Sequence, residues 1–307
     1  MQIISGITEF ELNMHCAVAI GKFDGIHKGH RLLIDKIKEV SKERFLKSVV
    51  FTFNPSPESF FCGHALPELT TVSEKRHMFE KMGIDILIEF PMNAETAATA
   101  PTEFIQKYLC DQMRAKYIVA GSDISFGDKG KGNADLLMAM ADECEYQCEL
   151  VDKITYDGTD ISSTRIRERV KNGEMHSAAD MLGSPYTISG VISHGRRLGT
   201  QLSMPTANVY IAPDKLVPPR GVYFTNVILG GVAYPAVSNV GVKPTVAEDE
   251  LLCGESCIYD FDEDVYGRHI SVELLEYSRP EMKFENVDAL KNQMQQDLSN
   301  GRKYHGI

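Results

Sequence analysis

Hydrophobic positions in the first half of the chain alternate between short unbroken runs and runs at helical spacing. Residues 17–20 form a short apolar run, and Leu32, Leu33, Ile37 and Val40 then recur with the period of an α-helix. The same patterns predict strands at residues 48–53, 84–90 and 117–120, and helices at residues 74–82, 102–113 and 134–141. Strands that alternate with helices in this way predict a parallel sheet covered on both faces.

The pattern changes after a helical stretch over residues 163–182. Five runs then have the length and composition of strands, at residues 186–192, 221–229, 232–237, 256–261 and 269–275. Gly230 and Gly231 predict a tight hairpin turn, and residues 288–298 predict an amphipathic closing helix. A chain of 307 residues is also long for one compact unit. We therefore predict an α/β Rossmann-like domain over residues 1–184 and a small antiparallel β-barrel with a terminal helix over residues 185–307.

Composition narrows the class of protein. A net charge of -11 disfavours a nonspecific nucleic-acid binder, because such a protein needs a broad basic surface. The sequence has no apolar stretch of membrane-spanning length and no secretion signal at its start. Seven scattered cysteines predict reduced thiols and not a disulfide framework. We expect a soluble cytoplasmic protein with small-molecule partners, no nucleic acid and no membrane; the sequence does not give the oligomeric state.

Two histidines stand where the first predicted strand leads into a helix. Ligands of parallel sheets bind at the carboxyl ends of the strands, and Gly21 opens the loop after residues 17–20. His27 and His30 lie three residues apart at the helix entry, where backbone N–H groups and the helix dipole favour an anion. Their imidazoles can hydrogen-bond the phosphoryl oxygens of a transition state at a nucleotide α-phosphate. A lone histidine would be read as a loop or cap residue, but H-x-G-H in this context favours the catalytic interpretation.

A second cluster lies in the sequence ISSTRIR, residues 161–167. Ser163 and Thr164 are candidate helix caps, and Arg165 and Arg167 lie in the first turn. Cations are disfavoured near a helix amino terminus unless a bound anion compensates them, and a polyphosphate is the simplest compensation. Lys129 and Lys131, in the glycine-rich segment 121–132, fit a phosphate contact and a solvated loop about equally well.

These motifs resemble a known family. GKFDGIHKGH, residues 21–30, resembles the signature of the HxGH nucleotidyltransferases, specifically the bacterial bifunctional riboflavin kinase/FAD synthetases. FTFNPSP (residues 51–57), GSDISFGDKGKG (residues 121–132) and ISSTRIR resemble further loops of that family in the same order. The resemblance implies that His27 and His30 are catalytic. It further implies ATP contacts at Gly21, Phe23, Asp24, Ser163, Thr164, Arg165 and Arg167, and flavin contacts at Asn54, Pro55, Asp123 and Arg279.

The second half resembles a flavokinase. GRRLGTQLSMPTAN, residues 195–208, is similar to the flavokinase signature, which implies that Thr206 and Asn208 hold Mg-ATP. Their neutral oxygens suit a Mg²⁺ ion that keeps waters and shares phosphate ligands. Glu255 aligns with the family's general base, which takes the proton of the ribityl 5'-hydroxyl. Taken singly, PTAN would be a turn and Glu255 a surface acid.

Some positions depart from the family pattern. Thr200 replaces a common arginine, Ser203 and Met204 replace Gly-Phe, Cys257 replaces a histidine, and Ser125 follows Ile124 in place of Phe-Arg. The resemblance implies Mg²⁺-dependent phosphorylation of riboflavin to FMN and adenylylation of FMN to FAD. Two alternatives are an adenylyltransferase for another small phosphate ester and a noncatalytic flavin-binding regulator.

Overall fold

The chain divides into two compact units of contacts. The protein is represented by a computed structural model that describes residues 1–193, 206–244 and 250–307. Contacts among these residues separate Met1–Ser162 from Ser163–Ile307. The helices after Ser162 therefore cluster with the second unit, and one of them contacts the strands that follow it. The predicted boundary between residues 184 and 185 stays a prediction.

The first unit is built on a parallel sheet. Within the described residues its strands are β1 (Gln2–Ser5), β2 (Cys16–Ile20), β3 (Lys47–Asn54), β4 (Ile86–Pro91), β5 (Ala115–Gly121) and β6 (Gln147–Val151). Their order is β1-β4-β3-β2-β5-β6, and every neighbouring pair is parallel. The predicted parallel sheet is confirmed. A small hairpin, β7 (Thr155–Tyr156) and β8 (Thr159–Asp160), follows it.

Helices cover both faces of this sheet. They are α1 (Lys28–Arg44), α2 (Pro57–Cys62), α3 (Val72–Lys81), α4 (Ala94–Ala97), α5 (Pro101–Glu103) and α6 (Ala134–Ala139). The helix predicted over residues 102–113 is α5 followed by a wider π-helix, Phe104–Gln112. In β2, Val18 and Ile20 pack on the side of the π-helix, whereas Ala17 and Ala19 pack on the side of α1. This double burial explains the unbroken apolar run.

The strand order places β2 at the topological switch point of the sheet. The chain moves from β2 to β3 and β4 on one side, and then returns to the other side of β2 to form β5 and β6. The loops after β2 and β5 therefore diverge at their carboxyl ends and leave a crevice there. The histidine loop follows β2, and Asp123 follows β5. The fold thus brings together two segments that lie far apart in the sequence.

The second unit begins with two helices and continues as an antiparallel barrel. The predicted helical stretch 163–182 is split into α7 (Ser163–Lys171) and α8 (Met175–Leu182), with Gly173 at a φ of 77° between them. Among the described residues the strands are β9 (Tyr186–Ser193), β10 (Ala207–Tyr210), β11 (Gly221–Leu229), β12 (Val232–Pro244), β13 (Glu250–Ile258) and β14 (His269–Pro280). They close in the order β10-β13-β12-β11-β14-β9. The predicted small barrel is confirmed.

The hairpin and the terminal helix of the barrel also agree with the prediction. Gly230 and Gly231 have φ values of 59° and 86°, as a tight turn between β11 and β12 requires. The last helix, α9 (Val287–His305), is longer than the predicted 288–298. It packs on β11 and β12, where Val222 and Tyr259 are buried beside Leu298. Each large apolar side chain buried in this way contributes about 1.5–3 kcal/mol.

Candidate active sites

The rings of His27 and His30 are stacked at the crevice of the parallel sheet. Their centroids lie 3.7 Å apart, with 18° between the ring planes. His27 is the N-cap of α1, and its Nδ1 accepts the backbone N–H of His30 at 3.4 Å. An accepting Nδ1 means that a neutral His27 carries its proton on Nε2. The Nε2–H group is then the donor that His27 can offer to a phosphoryl oxygen.

Both histidines are held in the neutral form. Burial lowers the pKa of His27 to about 4, although the nearby Asp123 carboxylate opposes this shift. The pKa of His30 lies well below its ordinary value, mainly because of burial and then because of His27 and Lys75. At neutral pH the pair can therefore offer neutral N–H donors and not positive charge.

The loop before the histidines is fixed by residues that face inward. Phe23 is fully buried, and its ring lies 5.0 Å from that of His30 and 5.6 Å from that of Phe79. Asp24 accepts the backbone N–H groups of Leu69 and Thr70 at 2.7 and 3.2 Å. Phe23 and Asp24 thus support the loop from behind, and their predicted contacts with ATP, like that of Gly21, stay predictions.

The backbone of this loop is strained. Phe23 and Ile26 have φ values of 51° and 43°, which non-glycine residues rarely adopt, and Gly25 lies at 83°. Each such residue costs on the order of 1–3 kcal/mol unless its surroundings hold it there. Strain of this kind is concentrated at functional sites. The local geometry therefore supports the catalytic interpretation of residues 21–30.

The predicted flavin contacts of the first unit lie at the same edge of the sheet. Asn54 and Pro55 are exposed at the end of β3 and are joined by a cis peptide bond. Asp123 is exposed after β5, and its carboxylate lies 3.0 Å from Nζ of Lys153. Lys153 follows β6, a strand that the sequence did not reveal. The Lys153 Nζ also lies 3.7 Å from the carboxylate of Asp160. Lys153 is thus a cation at this edge of the sheet that no sequence motif included.

The glycine-rich segment 121–132 is anchored to the core by Phe126. Phe126 is buried against Phe104, at 5.3 Å between centroids, and pairs through its backbone with Gly132. Lys131 forms an ion pair with Asp128 at 2.9 Å. That pair favours the solvated-loop interpretation of Lys131. Ser125, which departs from the family pattern, is exposed in the same segment.

The predicted triphosphate contacts lie at the start of α7. Ser163, Thr164, Arg165 and Arg167 occupy its first turns, and the first turn has no acidic residue. Ile166 is buried and anchors the helix. These residues belong to the second unit of contacts. Their contact with a triphosphate stays a prediction.

A second polar cluster lies on the barrel. The Thr206 hydroxyl donates to Oε1 of Glu255 at 2.7 Å, and Asn208 is paired with Glu255 across β10 and β13. The register continues this row through Asn239 on β12 to Val222 on β11. Paired residues of an antiparallel ladder project to the same side. Asn239 therefore lies on the same side of the sheet as Asn208 and Glu255.

The donor set on β10 and β13 fits a Mg²⁺ ion. Thr206 and Asn208 offer hydroxyl and amide oxygens, and Glu255 adds a carboxylate beside them. Hard oxygen donors in small number suit Mg²⁺, which keeps several waters and shares phosphate oxygens. No cluster of three or more His, Cys, Asp or Glu residues in the described ranges could hold a metal ion. The Thr206 hydroxyl donates its hydrogen bond to Glu255. The lone pairs of the Thr206 oxygen are therefore available to a cation.

Arg279 is engaged by the terminal helix. Its Nε donates to Asp297 Oδ1 at 2.9 Å and its Nη2 donates to Oδ2 at 2.5 Å, while Nη1 donates to the carbonyl of Pro280 at 2.9 Å. Gln293 also donates to Asp297 at 2.9 Å. Arg279 pairs with Val222 in the barrel register and so extends the row from Glu255. Its predicted contact with flavin stays a prediction, and Asp297 is the residue that orients it.

Several sequence predictions fall outside the described residues. They concern most of the flavokinase-like signature, including Thr200, Ser203 and Met204. Cys257, another departure, lies on β13, where burial raises the pKa of its thiol. All seven cysteines lie in the described ranges as free thiols.

One solved structure is similar to this chain along nearly its whole length. A crystal structure described as a macrolide-efflux protein from Streptococcus pneumoniae superposes with a TM-score of 0.83 at 30% sequence identity, covering 98% of both chains. No helix in the part of the chain that the structure describes is long and apolar enough to cross a membrane.

Family models match both halves in the order of the two sites. The model described as FAD synthetase matches residues 9–165, and the model described as riboflavin kinase matches residues 182–305. Bifunctional riboflavin kinase/FMN adenylyltransferases from Listeria monocytogenes and Escherichia coli are 32% and 34% identical, covering 94% and 95% of this chain and 91% and 93% of theirs. The Bacillus subtilis relative of the same name is 33% identical over 94% of this chain and 92% of its own. Since the similarity runs through both halves, the chain belongs to the bifunctional riboflavin kinase/FMN adenylyltransferase family.

Proposed function

We propose that the chain makes FAD in two steps, each at its own site. The barrel site transfers the γ-phosphate of ATP to riboflavin, which gives FMN and ADP. The histidine site joins the AMP part of a second ATP to FMN, which gives FAD and pyrophosphate. The observation that carries this proposal is the presence, in one chain, of the neutral histidine pair at a sheet crevice and the Thr206–Glu255 contact on the barrel.

In the kinase step, Glu255 is the general base. Its carboxylate takes the proton of the ribityl 5'-hydroxyl as that oxygen attacks the γ-phosphorus and ADP leaves. The hydrogen bond from Thr206 at 2.7 Å fixes the direction of the carboxylate. Thr206 and Asn208 would hold Mg²⁺, which neutralises phosphate charge when it is bound. Arg279, oriented by Asp297, is assigned to flavin binding.

In the adenylyl step, the protein needs no nucleophile of its own. An oxygen of the FMN phosphate attacks the α-phosphorus of ATP, and pyrophosphate leaves. His27 and His30 donate hydrogen bonds to the α-phosphoryl oxygens as negative charge grows there. Asn54, Pro55 and Asp123 are assigned to the flavin. ATP contacts are assigned to the Gly21 loop with Phe23 and Asp24, and to Ser163, Thr164, Arg165 and Arg167.

The two alternatives are less well supported. An adenylyltransferase for another phosphate ester would have no use for a carboxylate held by a threonine on a second domain. A noncatalytic regulator would have no need for a strained loop with two stacked imidazoles. We further propose a domain boundary at residues 184/185 and a cytoplasmic location, which the free thiols suit. The partners are then ATP, riboflavin and FMN.

Product analysis tests this function. Purified protein is incubated with Mg-ATP and either riboflavin or FMN, and the flavins are separated by chromatography. We expect riboflavin to give FMN and then FAD, and FMN to give FAD directly. FMN as the sole product from riboflavin, with no FAD from added FMN, would reject the adenylyl assignment. No product from riboflavin, with FAD formed from FMN, would reject the kinase assignment.

A further inference from the structure

A buried ion pair lies behind the histidine loop. Lys75, on α3, is only 5% exposed, and its Nζ lies 2.7 Å from Oε2 of Glu68. Lysine is almost never buried to this extent unless it is paired. Even a buried pair adds little stability, because the cost of desolvating both charges offsets most of the attraction between them. An apolar pair of similar size would anchor α3 at least as well. Neither Lys75 nor Glu68 belongs to a motif that the sequence singled out.

Helix α3 is packed directly against the catalytic loop. Phe79 lies one turn after Lys75 on the same face of α3, and its ring meets that of Phe23 edge-on at 5.6 Å. The Phe23 ring in turn lies 5.0 Å from that of His30. The face of α3 that carries Lys75 is therefore turned toward His30. The positive charge of Lys75 acts on His30 and lowers its pKa, in addition to the larger effects of burial and of His27.

The segment that carries Glu68 is clamped to the same loop. Asp24 accepts the backbone N–H groups of Leu69 and Thr70, and the Gly25 N–H donates to the Thr70 hydroxyl at 3.0 Å. Thr71 then caps α3 in a reciprocal capping box with Glu74. These contacts fix the distance from the Glu68–Lys75 pair to the histidines. A side chain held so firmly can exert a constant field on His30.

We propose that the buried ammonium group of Lys75 holds His30 in its neutral form and that Lys75 is thereby a positioning residue for adenylyl transfer. A neutral His30 donates one N–H group and keeps its other nitrogen unprotonated. Its Nδ1 is inaccessible to solvent and makes no hydrogen bond in the described structure. A protonated His30 would place a second proton on this buried ring. This inference rests on the proposed role of His30.

Other charged groups around the histidines do not replace Lys75. His27 is stacked on His30 and also lowers the pKa of His30, but His27 itself is neutral near pH 7. Asp24 points at the backbone of Leu69, and Lys28 and Arg31 flank His30 on α1. Asp123 faces His27 and is paired with Lys153. Asp123 favours a protonated His27, whereas the buried cation on α3 favours a neutral His30.

Titration of His30 by NMR in the full chain tests this inference. The His30 ring signal is identified by its absence in His30→Gln and is followed in wild type, Lys75→Arg and Lys75→Met from pH 8 down to the lowest pH at which each protein stays folded. We expect the apparent pKa of His30 to rise by about one unit in Lys75→Met. The Lys75→Arg variant keeps the charge and should titrate like wild type. An unchanged titration in folded Lys75→Met would overturn the inference.

A second variant covers the case in which Lys75→Met does not fold. Lys75→Met combined with Glu68→Gln removes the cation without leaving a buried carboxylate, and it should shift His30 in the same direction. An identical titration in this folded double variant would also overturn the inference. Kinetics add an independent readout: the acid limb of FMN adenylylation should move up by about one pH unit, with KM for ATP unchanged.

These measurements separate this inference from the proposed function. The NMR titration needs no turnover, so it decides the role of Lys75 even if wild type makes no FAD. Absence of FAD from wild type with FMN and Mg-ATP would reject the proposed function alone. Riboflavin phosphorylation by the same variants serves as the control for the integrity of the chain. Loss of FAD synthesis with an unmoved His30 titration would assign Lys75 a purely structural role.

Discussion

Thr206 and Glu255, which are 49 residues apart in the sequence, are joined by a 2.7 Å hydrogen bond on the barrel. The bond orients the carboxylate and leaves the threonine oxygen available to a cation. Asn208, paired with Glu255 in the register, lies beside them. This small cluster is the centre of the proposed kinase site.

Replacing Glu255 should stop phosphorylation and spare adenylylation. Glu255→Gln keeps the size of the side chain but loses its ability to take a proton, so kcat for FMN formation should fall by about 10²–10⁴. Added FMN should still be converted to FAD. Glu263→Gln, at an exposed carboxylate elsewhere on the second unit, is the matched control. Retained phosphorylation in Glu255→Gln would contradict the assignment.

Replacing the histidines should have the opposite effect. His27→Asn and His30→Asn each remove a donor to the α-phosphate, so kcat for FAD formation should fall by about 10²–10³ in each. FMN made from riboflavin should then accumulate, as measured by chromatography. The exposed His64→Asn is the control in the same unit. FAD synthesis at the wild-type rate in both histidine variants would show that the imidazoles are not catalytic.

Acid should weaken the first unit because its histidines are buried in the neutral form. The pKa of His27 falls from 6.5 to about 4 on folding, so the unfolded chain binds its proton first as pH drops. The contribution of neutral His27 to the free energy of unfolding is therefore complete above pH 6.5. It is lost between pH 6.5 and about 4, and the total loss is about 3 kcal/mol. The lowered pKa of His30 acts in the same direction.

Urea unfolding between pH 5 and pH 8 measures this dependence. The sequence contains no tryptophan whose fluorescence could report unfolding, so far-UV circular dichroism is the suitable signal. The free energy of unfolding should fall toward pH 5 in wild type and fall less steeply in His27→Asn. Equal slopes in the two proteins would mean that His27 does not resist protonation in the folded state.

Breaking the contact between Arg279 and Asp297 should destabilise the barrel. Both side chains are largely buried, at 18% and 7% exposure, so Asp297→Asn leaves a poorly compensated cation and should cost about 3–5 kcal/mol. The double variant Arg279→Met, Asp297→Leu removes both charges and should recover most of that loss. Thermal unfolding compares the three proteins. A single variant as stable as wild type would show that the pair does not anchor α9.

The sequence predicts the layout of the fold well where burial is complete. Strand β2 is buried on both faces and appears as an unbroken apolar run, so its position was evident. Strand β6 lies at the sheet edge with only partial burial, and its sequence QCELV has no strong pattern. Strand β12 extends to Pro244, beyond the predicted end at residue 237, because its pairing with β13 continues there. Cross-strand pairing of this kind is not visible in a single strand's pattern.

The candidate sites are predicted less completely than the fold. Motif spacing predicts the positions of His27 and His30 but does not reveal that Phe23 and Asp24 face inward. Lys75 lies 45 residues after His30 and reaches it only through the packing of α3. The strand register places Asn239 directly beside Glu255 in the kinase row. Tertiary placement, and not local sequence, determines which side chains share a site.

The fate of labelled phosphate tests the two-step account most directly. Riboflavin is incubated with the protein and Mg-ATP labelled at either the α- or the γ-phosphate, and the labelled flavins are separated. The account predicts γ-label in FMN and in FAD, and α-label in FAD only, because the first step transfers the γ-phosphate and the second transfers AMP. Labelled FMN in the incubation with α-labelled ATP would contradict the account. Unlabelled FAD in the incubation with γ-labelled ATP would also contradict it.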